Sequence, residues 1–135
     1  MPHKVSTVDM LDDVSTSVQF CGACNAVRKE ADGRLVGDMF DGQGFVRGLA
    51  RKGHPAKGAS ALIIGSGGVG SAIAIAMAEA GVRHLALYDT RSEIMEKLTD
   101  RLQQFFPKLS IQVGRNDPAG FEIVVNATPL AWSLV

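Results

Sequence analysis

The sequence predicts an α/β fold built on a parallel sheet, incomplete as it stands and preceded by part of a second unit. Three observations predict it. Short apolar runs alternate with helical stretches from about residue 60 onward. The first run, Ala61-Leu62-Ile63-Ile64, ends on a glycine turn that opens a helix of small residues. The last, Phe121 to Asn126, ends on Ala127-Thr128-Pro129-Leu130, and the regular strand–helix order between them is that of parallel strands joined by crossovers.

Composition sets the outer limits. With 135 residues, 46% hydrophobic and 21% charged, the chain is long and apolar enough to bury a core. Fourteen basic and fourteen acidic residues cancel, so no global field draws nucleic acid or an anionic membrane. The apolar stretches are short and broken by glycine, and Met1-Pro2-His3-Lys4 does not begin a signal peptide. A soluble, cytoplasmic protein is expected. Two cysteines, Cys21 and Cys24, argue against a secreted disulfide scaffold.

Taken in order, Ser6 or Thr7 caps a short helix with Val8, Leu11 and Val14 on one face. Phe20 to Val27 alternates as a strand, Asp32-Gly33 turns the chain, and Arg34-Leu35-Val36 returns as the second arm of a hairpin. Asp41-Gly42 opens a helix marked by Phe45, Val46 and Leu49, which gives way to the polar stretch Arg51 to Gly58. The boundary is expected there, with residues 1–57 in one unit and 58–135 in the next. In the second unit the expected order is strand 61–64, helix to about Glu79, strand 83–88, helix to about Phe105, strand 109–113 and strand 121–126.

The glycine turn carries chemistry. In Gly65-Ser66-Gly67-Gly68-Val69-Gly70, Gly65 permits the turn off the strand, Gly67 removes a side chain where backbone approaches a pyrophosphate, and Gly70 lets the helix pack on the strand. Free N–H groups at the helix start face the phosphate charge. The second strand ends on Asp89, nineteen positions after Gly70, where a carboxylate accepts the ribose hydroxyls of an adenosine and repels a 2′-phosphate. A Rossmann-type dinucleotide site results, with NAD favoured and with Arg91, after Thr90, leaving NADP open. An adenosyl binder of the methyltransferase kind is the alternative within the same class of folds, but it gives Lys4 and the hairpin no role.

Pro2-His3-Lys4, Gly22-Ala23-Cys24-Asn25-Ala26-Val27, Asp41-Gly42-Gln43-Gly44-Phe45, Gly65-Ser66-Gly67-Gly68 and Asn126-Ala127-Thr128-Pro129-Leu130 stand in the order and spacing of the shikimate dehydrogenase family. The chain resembles the middle of such an enzyme over nearly all its length. Asp89 brings it closer to the quinate/shikimate dehydrogenase-like branch than to the NADP-dependent enzyme of aromatic amino acid biosynthesis. The resemblance implies an oxidoreductase moving a hydride between NAD(P) and a cyclic polyol carboxylic acid, shikimate/3-dehydroshikimate or quinate/3-dehydroquinate. It makes Lys4 the proton-exchanging catalytic residue and Asp41 its acidic partner, with Asn25 and Asp41 binding substrate. Gly65 to Gly70, Asp89, Thr90, Arg91 and Thr128 then hold the cofactor. It also leaves room for a homodimer.

Each of these residues has a plainer reading. Taken alone, Lys4 is an exposed terminal lysine, Asp41 a helix cap and Asn25 a turn or strand-edge residue. Cys21 and Cys24 are expected as buried thiols, and with His3, His54 and His84 scattered no metal site is expected. Trp132 is expected in core or lid packing.

Two departures from the family pattern bear on the substrate. Phe40 stands where the family carries threonine before Asp41, which removes a hydroxyl partner of the kind worth about 1–3 kcal/mol when its mate is left unpaired. Ala131-Trp132 replaces the usual Gly-Met. The family's amino-terminal sheet and carboxy-terminal helix are not present, so the chain reads as a fragment whose alternative role is NAD binding without catalysis.

Overall fold

The computed structural model describes residues 3–129, and Leu130, Ala131 and Trp132 lie outside them. The described residues form two sheets. The second is the parallel one, in the order β6-β5-β4-β7, from β4 (Ser60–Ile64), β5 (His84–Tyr88), β6 (Ser110–Val113) and β7 (Ile123–Asn126). Helices α3 (Gly68–Glu79) and α4 (Ser92–Phe105) make the crossovers β4 to β5 and β5 to β6. This is the expected Rossmann-type α/β arrangement.

Its core follows from the sequence pattern. Ala61, Ile63, Leu85 and Leu87 alternate along β4 and β5 and cluster with Met77 of α3 and with Leu98 and Leu102 of α4. Helix α3 is apolar on all sides, and Ala72 through Ala78 are buried without a break. A helix hydrophobic all round is one covered all round. The sheet lies on one side of it, and α1 (Thr16–Cys21) and α2 (Asp41–Arg51) pack against it.

The smaller sheet has the order β1-β3-β2, from β1 (Asp13–Val14), β2 (Ala26–Lys29) and β3 (Leu35–Asp38). The expected hairpin is β2 and β3, antiparallel with Val27 opposite Gly37. Two local expectations are corrected here. The first helix is only a 3-10 turn, Val8–Met10, because the Thr7 hydroxyl donates to the His3 carbonyl at 2.7 Å and caps nothing. Val14 instead joins β1, parallel to β3.

The stretch from Phe20 does not begin a strand either. Ser15 caps α1 by accepting the Val18 N–H at 3.4 Å, and Gly22 ends it in the left-handed conformation at φ 65°. Cap and stop lie within one short segment, and that outweighs the loose alternation from Phe20 to Val27. Phe20 is thereby buried, edge-on to Phe105, with its carbonyl accepting from Arg101 Nη1 at 2.6 Å. Burial pushes the Cys21 thiol up to about 11, against a weaker downward pull from Arg101, and Cys24 is fully buried; both thiols are free.

Among the described residues no helix is long and apolar enough to cross a membrane. The exposed side of α2 carries Gly44 and Gly48, and a Cβ at either would meet nothing within 4 Å. Gly48→Ala is therefore expected to raise stability by about 0.5–1 kcal/mol, the glycine penalty in a helix, read as a higher urea midpoint with an unchanged slope.

Candidate functional site

Two groups of residues meet at the amino-terminal half of α3. The first is the glycine loop. Gly65 turns at φ 105°, donates its N–H to the Tyr88 carbonyl at 2.8 Å, and lies so close to β7 that a Cβ there would be 2.8 Å from the Ala127 carbonyl carbon. A Cβ on Gly70 would collide with the Gly65 carbonyl, so the loop and the first turn of α3 close on each other only as glycines. Gly67 and Gly68, by contrast, face open space among the described residues: beyond their chain neighbours and the helix's own backbone, the one atom within 4 Å of a Cβ at Gly67 is Arg91 Nη2, and none is near Gly68. Backbone here is free to be approached.

Gly67 is the N-cap of α3 and has no side chain to satisfy the N–H groups that follow, so those donors point to whatever occupies the cleft. The cleft has a volume of about 700 Å³ and runs from the glycine loop past Tyr88 and Asp89 to Thr128 and Pro129. That size and the position outside the carboxyl ends of parallel strands suit a dinucleotide.

Asp89 closes one end. Its side chain is only 6% exposed and accepts the Ser66 N–H at 2.7 Å and the Arg91 N–H at 2.9 Å. The Arg91 side chain adds two bonds of 3.1 Å, Nε to Oδ1 and Nη2 to Oδ2. These Arg91 bonds above all, then the Ser66 and Arg91 N–H groups, hold its carboxyl well below the usual carboxylate range against the opposing effect of burial. Because the folded value is depressed, the stability this contributes is fully present above the ordinary carboxylate pKa of about 4 and is lost only as pH falls through the lowered value. Asp89→Asn is thus expected to lower Tm at neutral pH, with the gap to the parent closing below about pH 4 in thermal unfolding. A gap independent of pH removes this charge-based account.

At the other end, the Thr128 N–H and hydroxyl both donate to Asn126 Oδ1, at 3.1 and 2.7 Å. Asn126 thus sets the turn that presents Thr128, and its signal in the sequence is that of an Asx turn, an asparagine two residues before a bonded N–H. Ser66 is placed differently from its loop neighbours. Its N–H serves Asp89, but its side chain is buried and its hydroxyl is, among the described residues, the one buried side-chain polar atom without a partner. Val69 lines the cleft beside the loop, and Thr90 does so between Asp89 and Arg91.

The second group is Lys4, Asp41 and Asn25. Lys4 Nζ donates to Asp41 Oδ2 at 2.8 Å, and Asn25 Nδ2 donates to Asp41 Oδ1 at 2.6 Å. Asn25 Oδ1 in turn accepts the Phe40 N–H at 3.0 Å, tying hairpin to helix. Main-chain bonds fix the frame: the Cys24 N–H to the Lys4 carbonyl at 2.9 Å, and the Asn25 N–H to the Asp38 carbonyl at 3.0 Å. Lys4 and Asp41 keep 27% and 35% side-chain exposure, enough to reach a ligand. The plainer reading of Asp41 as a cap does not hold, since Phe40 is the N-cap of α2 and Asp41 its first residue.

Gly42 links the groups. It packs directly on the Ala72 carbonyl, one turn into the helix that the glycine loop opens, and a Cβ there would also lie 2.9 Å from the Ala76 Cβ. An ammonium held by a carboxylate that is held in turn by an amide is an arrangement for giving and taking a proton at an oxygen.

No protein-family model matches the chain. A shikimate dehydrogenase (NADP(+)) of Streptococcus pyogenes serotype M28 is 37% identical over 108 residues, 77% of this chain and 37% of the relative. Among solved structures, shikimate 5-dehydrogenase from Listeria monocytogenes in complex with shikimate and NAD is 30% identical with a TM-score of 0.84, and quinate dehydrogenase from Corynebacterium glutamicum in complex with NAD is 32% identical at 0.80. A ligand-free 5-ketofructose reductase of Gluconobacter sp. strain CHM43 is 30% identical at 0.84; each of these three matches covers 95% of this chain and 47% of the other. The chain thus spans less than half the length of the relatives it matches. Over that part, the resemblance carried by the motifs is borne out.

Proposed function

We propose that this chain, a relative of the shikimate and quinate dehydrogenases over the part they share, carries the proton-handling pair and the cofactor loop of an NAD(P)-dependent dehydrogenase. Its substrate is a cyclic polyol carboxylic acid of the shikimate or quinate type. The observation that carries the reading is the Lys4–Asp41–Asn25 cluster, set on α2 and joined through Gly42 to the helix that opens on the glycine loop. Residues 1–57 supply the substrate side and 58–135 the cofactor side.

The residues fit the cofactor by their own geometry: open backbone at Gly67 and Gly68, uncapped N–H groups after them, and an ionised carboxylate at Asp89. When bound there, the nicotinamide supplies a hydride acceptor or donor. The chain's residues do the rest. Gly67 to Val69 hold the pyrophosphate, Asp89 takes the ribose hydroxyls and thereby favours NAD over NADP, and Thr128 stands at the nicotinamide side.

In the oxidative direction Lys4, in its neutral form, accepts the proton leaving the substrate hydroxyl while the carbon loses its hydride; in the reductive direction the ammonium returns that proton to the carbonyl oxygen. Asp41 holds Lys4 in position and Asn25 holds Asp41. Phe40 is 48% exposed beside this cluster and its side chain offers no hydrogen bond, which shifts preference toward a ring that needs none at that point.

The test is absorbance of the reduced nicotinamide with the intact protein, quinate and shikimate in turn, and NAD and NADP in turn. Turnover faster with NAD supports the reading. Cofactor binding without turnover leaves a nucleotide-binding module, and the absence of both removes the proposal.

A further inference from the structure

We propose that Arg91 is an internal latch on the cofactor cleft: in the free protein its guanidinium occupies the acceptor positions on Asp89 that a cofactor ribose requires, and binding has to displace it. This rests on the cofactor reading above and adds the state of the site before binding.

A carboxylate offers about four acceptor positions in its plane. On Asp89 all four are taken: Oδ1 by the Arg91 N–H and Nε, Oδ2 by the Ser66 N–H and Arg91 Nη2. Two of these donors are main chain, fixed by the loop and by the start of α4. The other two belong to one side chain that is 57% exposed and free to swing away. The same guanidinium reaches the glycine loop, since Nη2 would be 3.9 Å from a Cβ at Gly67, so the arm crosses the cleft mouth from the end of β5.

The competition is between donors. Asp89 stays ionised across the working pH range, so protonation does not release the arm. A ribose diol offers two neutral hydroxyls in exchange for a bidentate ionic pair and must bear the difference. A 2′-phosphate meets the released guanidinium and recovers part of it, while facing the Asp89 charge. The latch therefore weakens NAD binding more than NADP binding and narrows the preference that Asp89 alone would impose.

The experiment measures cofactor affinity by calorimetry on the intact protein, independent of turnover. Arg91→Ala is expected to tighten NADH about fivefold, the upper range for an ion pair whose arginine faces solvent, and to weaken NADPH by about tenfold or more. Arg91→Lys keeps the charge but loses the fork; it is expected to tighten NADH less and to retain NADPH. Unchanged or weaker NADH binding in Arg91→Ala overturns the latch while leaving the cofactor reading standing. Failure of parent and variant alike to bind either cofactor overturns both. A carboxyl NMR titration of the free protein tests the pair itself: Asp89 rises toward the ordinary carboxylate range in Arg91→Ala, and an unmoved Asp89 overturns the latch.

Discussion

Lys4→Ala is expected to lower kcat for polyol oxidation by about a thousandfold, within the range that general acid–base groups contribute, while NADH affinity stays within about twofold of the parent. The split follows from position. Lys4 bonds to Asp41 at 2.8 Å and is not among the described residues that line the cleft, so on the proposed roles its removal takes away the proton acceptor and leaves the cofactor donors in place. Asp41→Asn provides the second arm: it keeps the shape of the side chain but withdraws the charge that holds the ammonium, and a loss smaller than that of Lys4→Ala is expected. A lysine that only stabilised the fold would behave differently, lowering Tm and leaving kcat near the parent value for the folded fraction. Turnover retained in Lys4→Ala would sink the catalytic assignment, and the Lys4–Asp41 pair would then be structural.

The legibility of this site in the sequence divides along the distance between partners. The cofactor side is local: an apolar strand, a glycine turn and a small-residue helix lie within about twenty residues, and both the fold and the loop follow from periodicity and glycine placement. Lys4 and Asp41 are 37 positions apart, and no spacing rule relates a lysine in a turn to an aspartate opening a helix. Only the resemblance to a family paired them. The tie between Asp89 and Arg91 was equally hidden, because the sequence placed both at the cleft but could not show that one side chain spends its donors on the other. Where local reading failed outright, at Phe20 to Cys21, the capping serine and terminating glycine were both in the sequence and were outvoted by an accidental alternation of apolar residues.

Gly42→Ala is expected to destabilise the protein by about 3 kcal/mol and to cut kcat by about a hundredfold, a larger effect than its single methyl group suggests. Gly42 is the second residue of α2, the helix that Asp41-Gly42 opens, and it lies on the Ala72 carbonyl of α3. Backbone cannot give way as a side-chain tip can, so a Cβ there must push the two helices apart. Asp41 precedes Gly42, and the pushed end of α2 carries the carboxylate, and with it Lys4, away from the helix that opens on the glycine loop. A shift of about 1 Å between a proton donor and the oxygen it serves costs on the order of a hundredfold in rate. Gly48→Ala on the same helix is the internal control, since its Cβ meets nothing, and it should stabilise without changing kcat. Stability follows from urea unfolding and rate from kcat under saturating cofactor, with NADH affinity of Gly42→Ala measured separately. If Gly42→Ala loses stability but keeps its kcat, the proton pair is not positioned through the α2–α3 contact, and Asn25 with the hairpin holds it alone.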